Sequence, residues 1–187
     1  MTKDLMPTVE AYANYTIELD KLEKELMQIE KQLLDAKKSR VYAYNKGESK
    51  KVKTLDDVIS ELNTKKKSKT SSFEEICKKQ FYMYSTYYNA SDISTIADIS
   101  ELIESIDTKL AAINFESSKL EERKIELFGI AKASVDSETA KKCRDLSSKC
   151  HARLVDLTMK ASVYTKVKED VASILSKKKT NAQLQIK

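Results

Sequence analysis

The first long apolar pattern follows Pro7 and repeats alternately every three and every four residues, from Tyr12 to Ala43. A narrow row of this kind, kept over more than four heptads, is typical of a coiled-coil helix. We therefore predict a heptad helix over about residues 8–45, which ends where Gly47 can adopt a left-handed cap. The central part of its seam is formed by Leu19, Leu22, Leu26, Ile29 and Leu33.

A second alternating pattern runs from Ile96 to Leu127 and predicts a long helix over about residues 92–128. Its seam contains Ile99, Ile103, Ile106, Leu110 and Ile113. A turn at about 134–137 separates it from a last long helix, predicted over about residues 137–179. The apolar rows of that last helix are less regular, so we expect it to bury a broader face, as a bundle member does.

The chain between these long helices contains two apolar faces separated by lysine-rich runs. Capping-box patterns at Thr54 and Ser72 predict the start of two short helices, with the lysine runs as loops and a break at about 89–91. The resulting fold is all-α: an elongated coiled-coil or helical bundle forming a single domain over residues 1–187. Residues 1–45 form the heptad helix. Residues 46–91 form basic loops with two short helices, at about 54–66 and 72–88. Residues 92–187 form a hairpin of an acidic and a basic helix, followed by a frayed tail.

Charge is distributed unevenly along the chain and indicates how the helices pair. Residues 73–128 carry 6 positive and 11 negative side chains, whereas residues 129–187 carry 13 and 6. Helices of opposite charge joined by a short turn favour an antiparallel hairpin. The first helix either completes a three-helix bundle with this hairpin or pairs with a second copy of itself.

The composition excludes several classes of site. Two glycines, Gly47 and Gly129, are too few for a phosphate-binding loop or a dinucleotide-binding motif, and one histidine is too few for an HExxH zinc site. Cys143 and Cys150 are seven residues apart, about 10.5 Å along a helix, and His151 lies on a different face from Cys150. We therefore expect reduced thiols, no metal, no cofactor, no small-molecule substrate and no enzymatic activity.

The lysine-rich runs are the candidate contacts for a polyanion. Lysine clusters bind phosphate backbones without sequence preference, and the small number of arginines argues against base readout. Solubility is the alternative explanation of the same charges. The candidate residues are Lys50, Lys51, Lys53, Lys65, Lys66, Lys67 and Lys69.

An aromatic segment is the most distinctive local feature of the sequence. Tyrosine and phenylalanine are enriched at protein–protein interfaces, but they also fill bundle interiors or stack on nucleic-acid bases. We consider internal packing, a partner interface and base stacking as the three explanations. The candidate interface residues are Phe81, Tyr82, Tyr84, Tyr87 and Tyr88.

The beginning of the chain has no apolar core of the length that a signal peptide needs, and no stretch approaches the length of a membrane span. We expect an intracellular protein, cytoplasmic or nuclear, or one inside a virion, neither secreted nor transmembrane. The sequence favours a non-catalytic structural or adaptor protein in a larger assembly of cytoskeletal, viral or scaffold type. Its partners are other proteins, or further copies of the chain, bound through coiled-coil seams. The alternative is a nucleic-acid-associated protein that binds phosphates through its lysines; membrane binding is less favoured.

Overall fold

The computed structural model describes residues 5–185 and contains four helices. They are α1 (Met6–Asn45), α2 (Ser49–Ile93), α3 (Ile96–Ala133) and α4 (Ser137–Gln185). No strand occurs in this part of the chain, so the all-α prediction is confirmed. The predicted count of three long helices and two short ones is wrong, because all four helices are long.

The error in the helix count lies in α2, which is one continuous helix where we predicted two. Lysine is a good helix former, and the run from 63 to 70 contains no glycine or proline to end a helix. The hydroxyls expected to form caps at Thr54 and Ser72 instead donate to Lys50 and Ser68 carbonyl oxygens, four residues earlier. Such bonds allow Ser and Thr to remain inside a helix. The helix also continues past the predicted break at 89–91.

The turn between α1 and α2 follows the predicted glycine cap. Gly47 has a φ of 72°, in the left-handed region that favours glycine. The amide of Glu48 donates to the Ala43 carbonyl oxygen at 3.0 Å, and the amide of Gly47 donates to that of Tyr44 at 3.0 Å. This pair of bonds is a Schellman motif, which satisfies carbonyls that the helix end leaves free.

The other two turns are defined by side-chain caps. The Thr95 hydroxyl accepts from the Asp98 amide, and the Asp98 carboxylate accepts from the Thr95 amide, which is a complete capping box. Asp136 caps α4 by accepting from the amides of Glu138 and Thr139. The bounds differ from the prediction: α3 begins and ends later, at Ile96 and Ala133, and α4 extends beyond the predicted end at 179 to Gln185. The last two residues of the predicted frayed tail lie outside the described residues.

The chain divides into two compact units. The hairpin unit, Tyr15–Tyr82, contains most of α1 and α2. Four side-chain pairs join these helices. The residue numbers of the α1 partners decrease as those of the α2 partners increase, as in an antiparallel pair. The partners are Arg40 with Asp56, Glu30 with Lys66 at 2.7 Å, Glu25 with Lys69 at 2.6 Å, and Thr16 with Gln80 at 2.8 Å. The first helix thus pairs with α2. We did not predict this partner, because we expected two short helices in place of α2.

The four-helix unit contains the chain up to Asn14 and the chain from Met83 onward. In this unit α3 and α4 pack against each other and are joined by Arg153 to Glu116 at 2.8 Å and Lys168 to Asp107 at 2.6 Å. The beginning of α1 and the end of α2 complete its hydrophobic core. The apolar and aromatic residues that are at most 1% exposed there are Val9, Ala13, Tyr87, Ile99, Ile106, Tyr164, Val167 and Val171.

The residues of the two predicted seams are buried or half-buried. Buried apolar side chains contribute roughly 1.5–3 kcal/mol each, whereas exposed ion pairs contribute about 0–1 kcal/mol. The seams therefore stabilise the helix pairs more than the charges do. The buried members are Leu22, Ile29, Leu33, Ile99, Ile106 and Ile113, and the half-buried ones are Leu19, Leu26, Ile103 and Leu110.

Ile29→Ala and Leu34→Ala test which face of α1 stabilises the hairpin unit. Ile29 is 3% exposed and Leu34 is 53% exposed. Ile29→Ala should lower the free energy of unfolding by about 2–4 kcal/mol through lost burial and a cavity. Leu34→Ala should change it by less than about 0.5 kcal/mol. Urea unfolding followed by circular dichroism measures both, and equal losses would show that the burial assigned to α1 is incorrect.

Candidate partner-binding surfaces

The structure separates the predicted aromatic interface into a packed part and an exposed part. Tyr84, Tyr87 and Tyr12 of α1 form a triangle with ring centroids 5.3–5.9 Å apart, and Tyr88 stacks on Tyr84 at 5.8 Å. Tyr87 is fully buried, and edge-to-face and tilted contacts at these distances are favourable packing arrangements. This half of the segment fills the core of the four-helix unit.

Burial holds the hydroxyls of Tyr12, Tyr87 and Tyr164 in the neutral form. Tyr87 donates to a carboxylate oxygen of Asp170 at 3.3 Å. Burial, followed by the negative charge of Asp170, raises the pKa of Tyr87 and of Tyr12. Burial, with a smaller effect from Glu10, raises the pKa of Tyr164 to about 12. The hydroxyl of Tyr164 is buried without a hydrogen-bond partner among the described residues.

The exposed part of the aromatic segment is Phe81 and Tyr82, which are 70% and 65% exposed on α2. They are adjacent in sequence, so they point about 100° apart on the helix. Covering large exposed apolar side chains with another protein surface is favourable, so such side chains are candidate contacts for a partner. Of the five predicted interface residues, these two have the exposure that a partner contact requires.

The seven candidate lysines all lie on α2 and not in loops. Three of them form ion pairs: Lys51 with Glu48 at 3.3 Å, and Lys66 and Lys69 with carboxylates of α1. Lys50, Lys53, Lys65 and Lys67 make no ion pair with any described residue. Lys65 and Lys67 are two residues apart, hence about 200° apart around the helix.

A shallow polar groove of 730 Å³ also lies along α2. Its lining contains the carboxylates of Asp57 and Glu61 beside the ammonium groups of Lys65 and Lys69, together with Ser and Thr hydroxyls. Charges of both signs therefore meet in the groove. The candidate lysines do not form a single positive surface.

One surface that sequence reasoning missed is the outer face of α1 in the hairpin unit. Three large apolar residues there are more than half exposed, and each precedes a buried residue by two positions. Two residues correspond to about 200° of helix rotation, so the exposed row lies almost opposite these three buried residues, and it lies about 100° from the seam residues Leu26 and Leu33. The seven-residue spacing is visible in the sequence and could have revealed the row. The exposed and buried partners are Met27 and Ile29, Leu34 and Ala36, and Val41 and Ala43.

A second set of exposed apolar residues lies on α3. Phe115, Ile125 and Phe128 are each more than 60% exposed. Their spacing is irregular, with intervals of ten and three residues. We did not predict these exposed residues. The predicted seam of α3 describes only the side of the helix that faces a neighbouring helix.

The described residues contain no group of three or more His, Cys, Asp or Glu side chains placed to hold a metal ion. Cys77, Cys143 and Cys150 are free thiols. Among the helices of residues 5–185, none is long and apolar enough to cross a membrane.

Comparisons with known proteins give no relative for this chain. No protein-family model matches it, and neither the curated proteins nor the solved structures contain a match. The candidate surfaces therefore depend on the physical features of this chain alone.

The buried hydroxyl of Tyr164 should make stability fall in alkaline solution. The pKa of Tyr164 is raised from 10.0 to about 12 in the folded chain. Its contribution to the free energy of unfolding is therefore complete below pH 10. Above that pH the contribution is lost, because the hydroxyl deprotonates in the unfolded chain while the folded chain keeps the proton. The loss is at most about 1.4 kcal/mol per pH unit. Urea unfolding measures the free energy of unfolding of the native chain and of Tyr164→Phe. The two values should differ by a constant amount near neutrality, and the native chain should lose stability relative to Tyr164→Phe between about pH 10 and 12. A constant difference between them would show that this hydroxyl titrates normally.

Proposed function

We propose that this chain is a non-catalytic structural or adaptor protein that binds other proteins through the outer faces of its long helices. The observation that carries the proposal is the set of large apolar side chains left exposed on helices whose inner faces are already buried. Rows of this kind mark contact surfaces more often than isolated exposed residues do. Met27, Leu34, Phe81, Phe115 and Phe128 are examples.

Coiled-coil packing of the two helix pairs is part of the proposal. Ile29, Leu33 and Ala36 are buried in the 4-3 alternation that such packing requires. Ion pairs such as Glu30 with Lys66 flank this seam in the hairpin unit, as charges flank coiled-coil seams. Rods built in this way present long surfaces to partners.

The absence of catalysis is likewise proposed from side-chain geometry. General acid–base chemistry needs groups that converge on a substrate. Adjacent carboxylates such as Glu121 and Glu122 point about 100° apart on a helix, and both are exposed. Free thiols at all three cysteines support a reducing location, inside a cell or a virion.

Assembly in the cell that makes the protein tests the main proposal. The purified chain should be a monomer of 21.3 kDa because its inner seams are satisfied within the chain. In native extracts it should migrate in a larger, salt-resistant species. Simultaneous Met27→Asp, Leu34→Asp, Phe115→Asp and Phe128→Asp should return it to the monomer position, since charges oppose apolar contacts. Velocity sedimentation with chemical crosslinking measures the change.

The matched control carries Asp at four exposed polar positions, Gln28, Gln32, Asn114 and Ser118, and should leave the assembly intact. Circular dichroism establishes that both variants remain helical. A native chain that migrates as a monomer before and after crosslinking would end the structural proposal.

The alternative is that the chain binds nucleic acid through phosphate contacts with α2. The supporting observation is that Lys50, Lys53, Lys65 and Lys67 are exposed and make no ion pair within the described chain. Their spread around the helix suits contact with a flexible single strand better than contact with a flat duplex surface. Such binding depends on charge and falls steeply with salt.

Fluorescence anisotropy with a single-stranded DNA of mixed sequence tests this alternative. Changing Lys50, Lys53, Lys65 and Lys67 to Gln should weaken binding by at least about tenfold at low salt, since four phosphate contacts are lost. The comparison variant replaces the ion-paired Lys51, Lys66 and Lys69 with Gln and should weaken it less. No binding by the native chain at low salt would exclude the alternative.

A further inference from the structure

The outer face of α1 combines its apolar row with a parallel row of lysines. We define the outer α1 face by Met27, Leu34 and Val41 together with Lys24, Lys31 and Lys38. Each lysine precedes an apolar member by three residues, so the two rows are neighbours on the helix. Both rows repeat every seven residues and span about 21 Å along the axis, at 1.5 Å per residue.

Two of the three lysines are available for a partner. Lys24 pairs with Asp20 of its own helix at 2.6 Å. Lys31 and Lys38 are exposed and pair with no described carboxylate. On the opposite flank of the apolar row, Glu30 is already paired with Lys66 of α2. The charge left for an outside partner is therefore mainly positive.

From this arrangement we propose that the outer α1 face binds an amphipathic helix of another protein that carries a row of acidic residues beside its apolar row. A single apolar residue per heptad is half of what a coiled-coil seam contains, so the row gives a partner helix its register and the flanking charges supply the selectivity. The proposal rests on the adaptor function above and names the surface and the chemistry of the partner.

The same features disfavour two other occupants. A bilayer-binding helix needs a broad apolar face, whereas charged residues flank this row on both sides, including Glu23 on the side away from the lysines. A second copy would bring two faces of like charge together, because Lys31, Lys37 and Lys38 outnumber Glu23 and Asp35 among the charged residues on or beside this face that make no ion pair within the described chain. Like charges across a helix interface favour a different partner.

Two synthetic peptides test the proposal on the full-length chain. Each is about three heptads long, with leucine at both seam positions and either glutamate or lysine at both flanking positions, which prevents it from pairing with itself. The glutamate peptide should bind, and the lysine peptide should bind at least about tenfold more weakly. Fluorescence anisotropy of labelled peptides measures both, and higher salt should reduce the difference by screening.

Variants of the chain assign the binding to this face. Leu34→Asp should weaken binding of the glutamate peptide at least about tenfold, because it places a charge in the seam. Leu146→Asp is the matched control, since Leu146 of α4 is similarly exposed at 46%, and it should leave binding unchanged. Lys31→Glu with Lys38→Glu should reverse the preference, so that the lysine peptide binds more tightly. A merely structural role of these lysines would not produce that reversal.

Several outcomes would overturn the inference. Binding that ignores Leu34→Asp but is lost with Phe115→Asp and Phe128→Asp would move the interface to α3 and leave the adaptor function intact. Equal binding of the two peptides, or binding of neither, would remove the acidic partner helix. Sedimentation with vesicles of anionic lipid that is abolished by Leu34→Asp would assign the face to a membrane. Self-association abolished by the same variant would assign it to a second copy.

Discussion

Each helix of this protein depends on burying apolar side chains against neighbouring helices, through a narrow face in the hairpin unit and through a shared core in the four-helix unit. Isolated helices owe little of their stability to intrinsic propensity, and most of it comes from the packing of such a face. In the hairpin unit the face contains Ile29 and Leu33, and the Schellman turn at Gly47 brings α2 back along it. The ion pairs beside the seam contribute less free energy, but they show which residues of α1 and α2 lie near one another.

A narrow inner face leaves most of each helix exposed, and this explains the distribution of candidate surfaces. Polar and charged residues cover most of the outer faces, as is normal for long helices. The exceptions are the rows and pairs of large apolar residues. Among those in the described part of the chain, only the outer α1 face has a seven-residue spacing together with an adjacent charged row. The regularity of that face supports its assignment to a partner helix, while the irregular spacing on α3 does not define the shape of a partner.

The tyrosines of the four-helix unit have a different role. Their rings supply a large buried area, and burial keeps the hydroxyls of Tyr87 and Tyr164 protonated. Tyr87 uses its hydroxyl to bond Asp170, whereas the hydroxyl of Tyr164 is buried without a described partner. A buried hydroxyl without a hydrogen bond is unfavourable, so the packing of the ring must exceed that cost. Ring contacts hold these residues in the core.

Sequence patterns alone determined that the chain is all-α, where its inner seams lie and that Gly47 ends the first helix. These features are local, because helical periodicity and a left-handed glycine depend on residues close in sequence. Only the tertiary structure decided that α1 pairs with α2, because Lys66 and Lys69 bind carboxylates of α1 that are distant in sequence. It also decided which aromatic residues pack inside: Tyr84 and Tyr87 pack with Tyr12 and Tyr88 stacks on Tyr84, while Phe81 and Tyr82 are exposed. That division depends on which sides of a helix are covered by neighbouring helices, and periodicity within one helix carries no information about its neighbours.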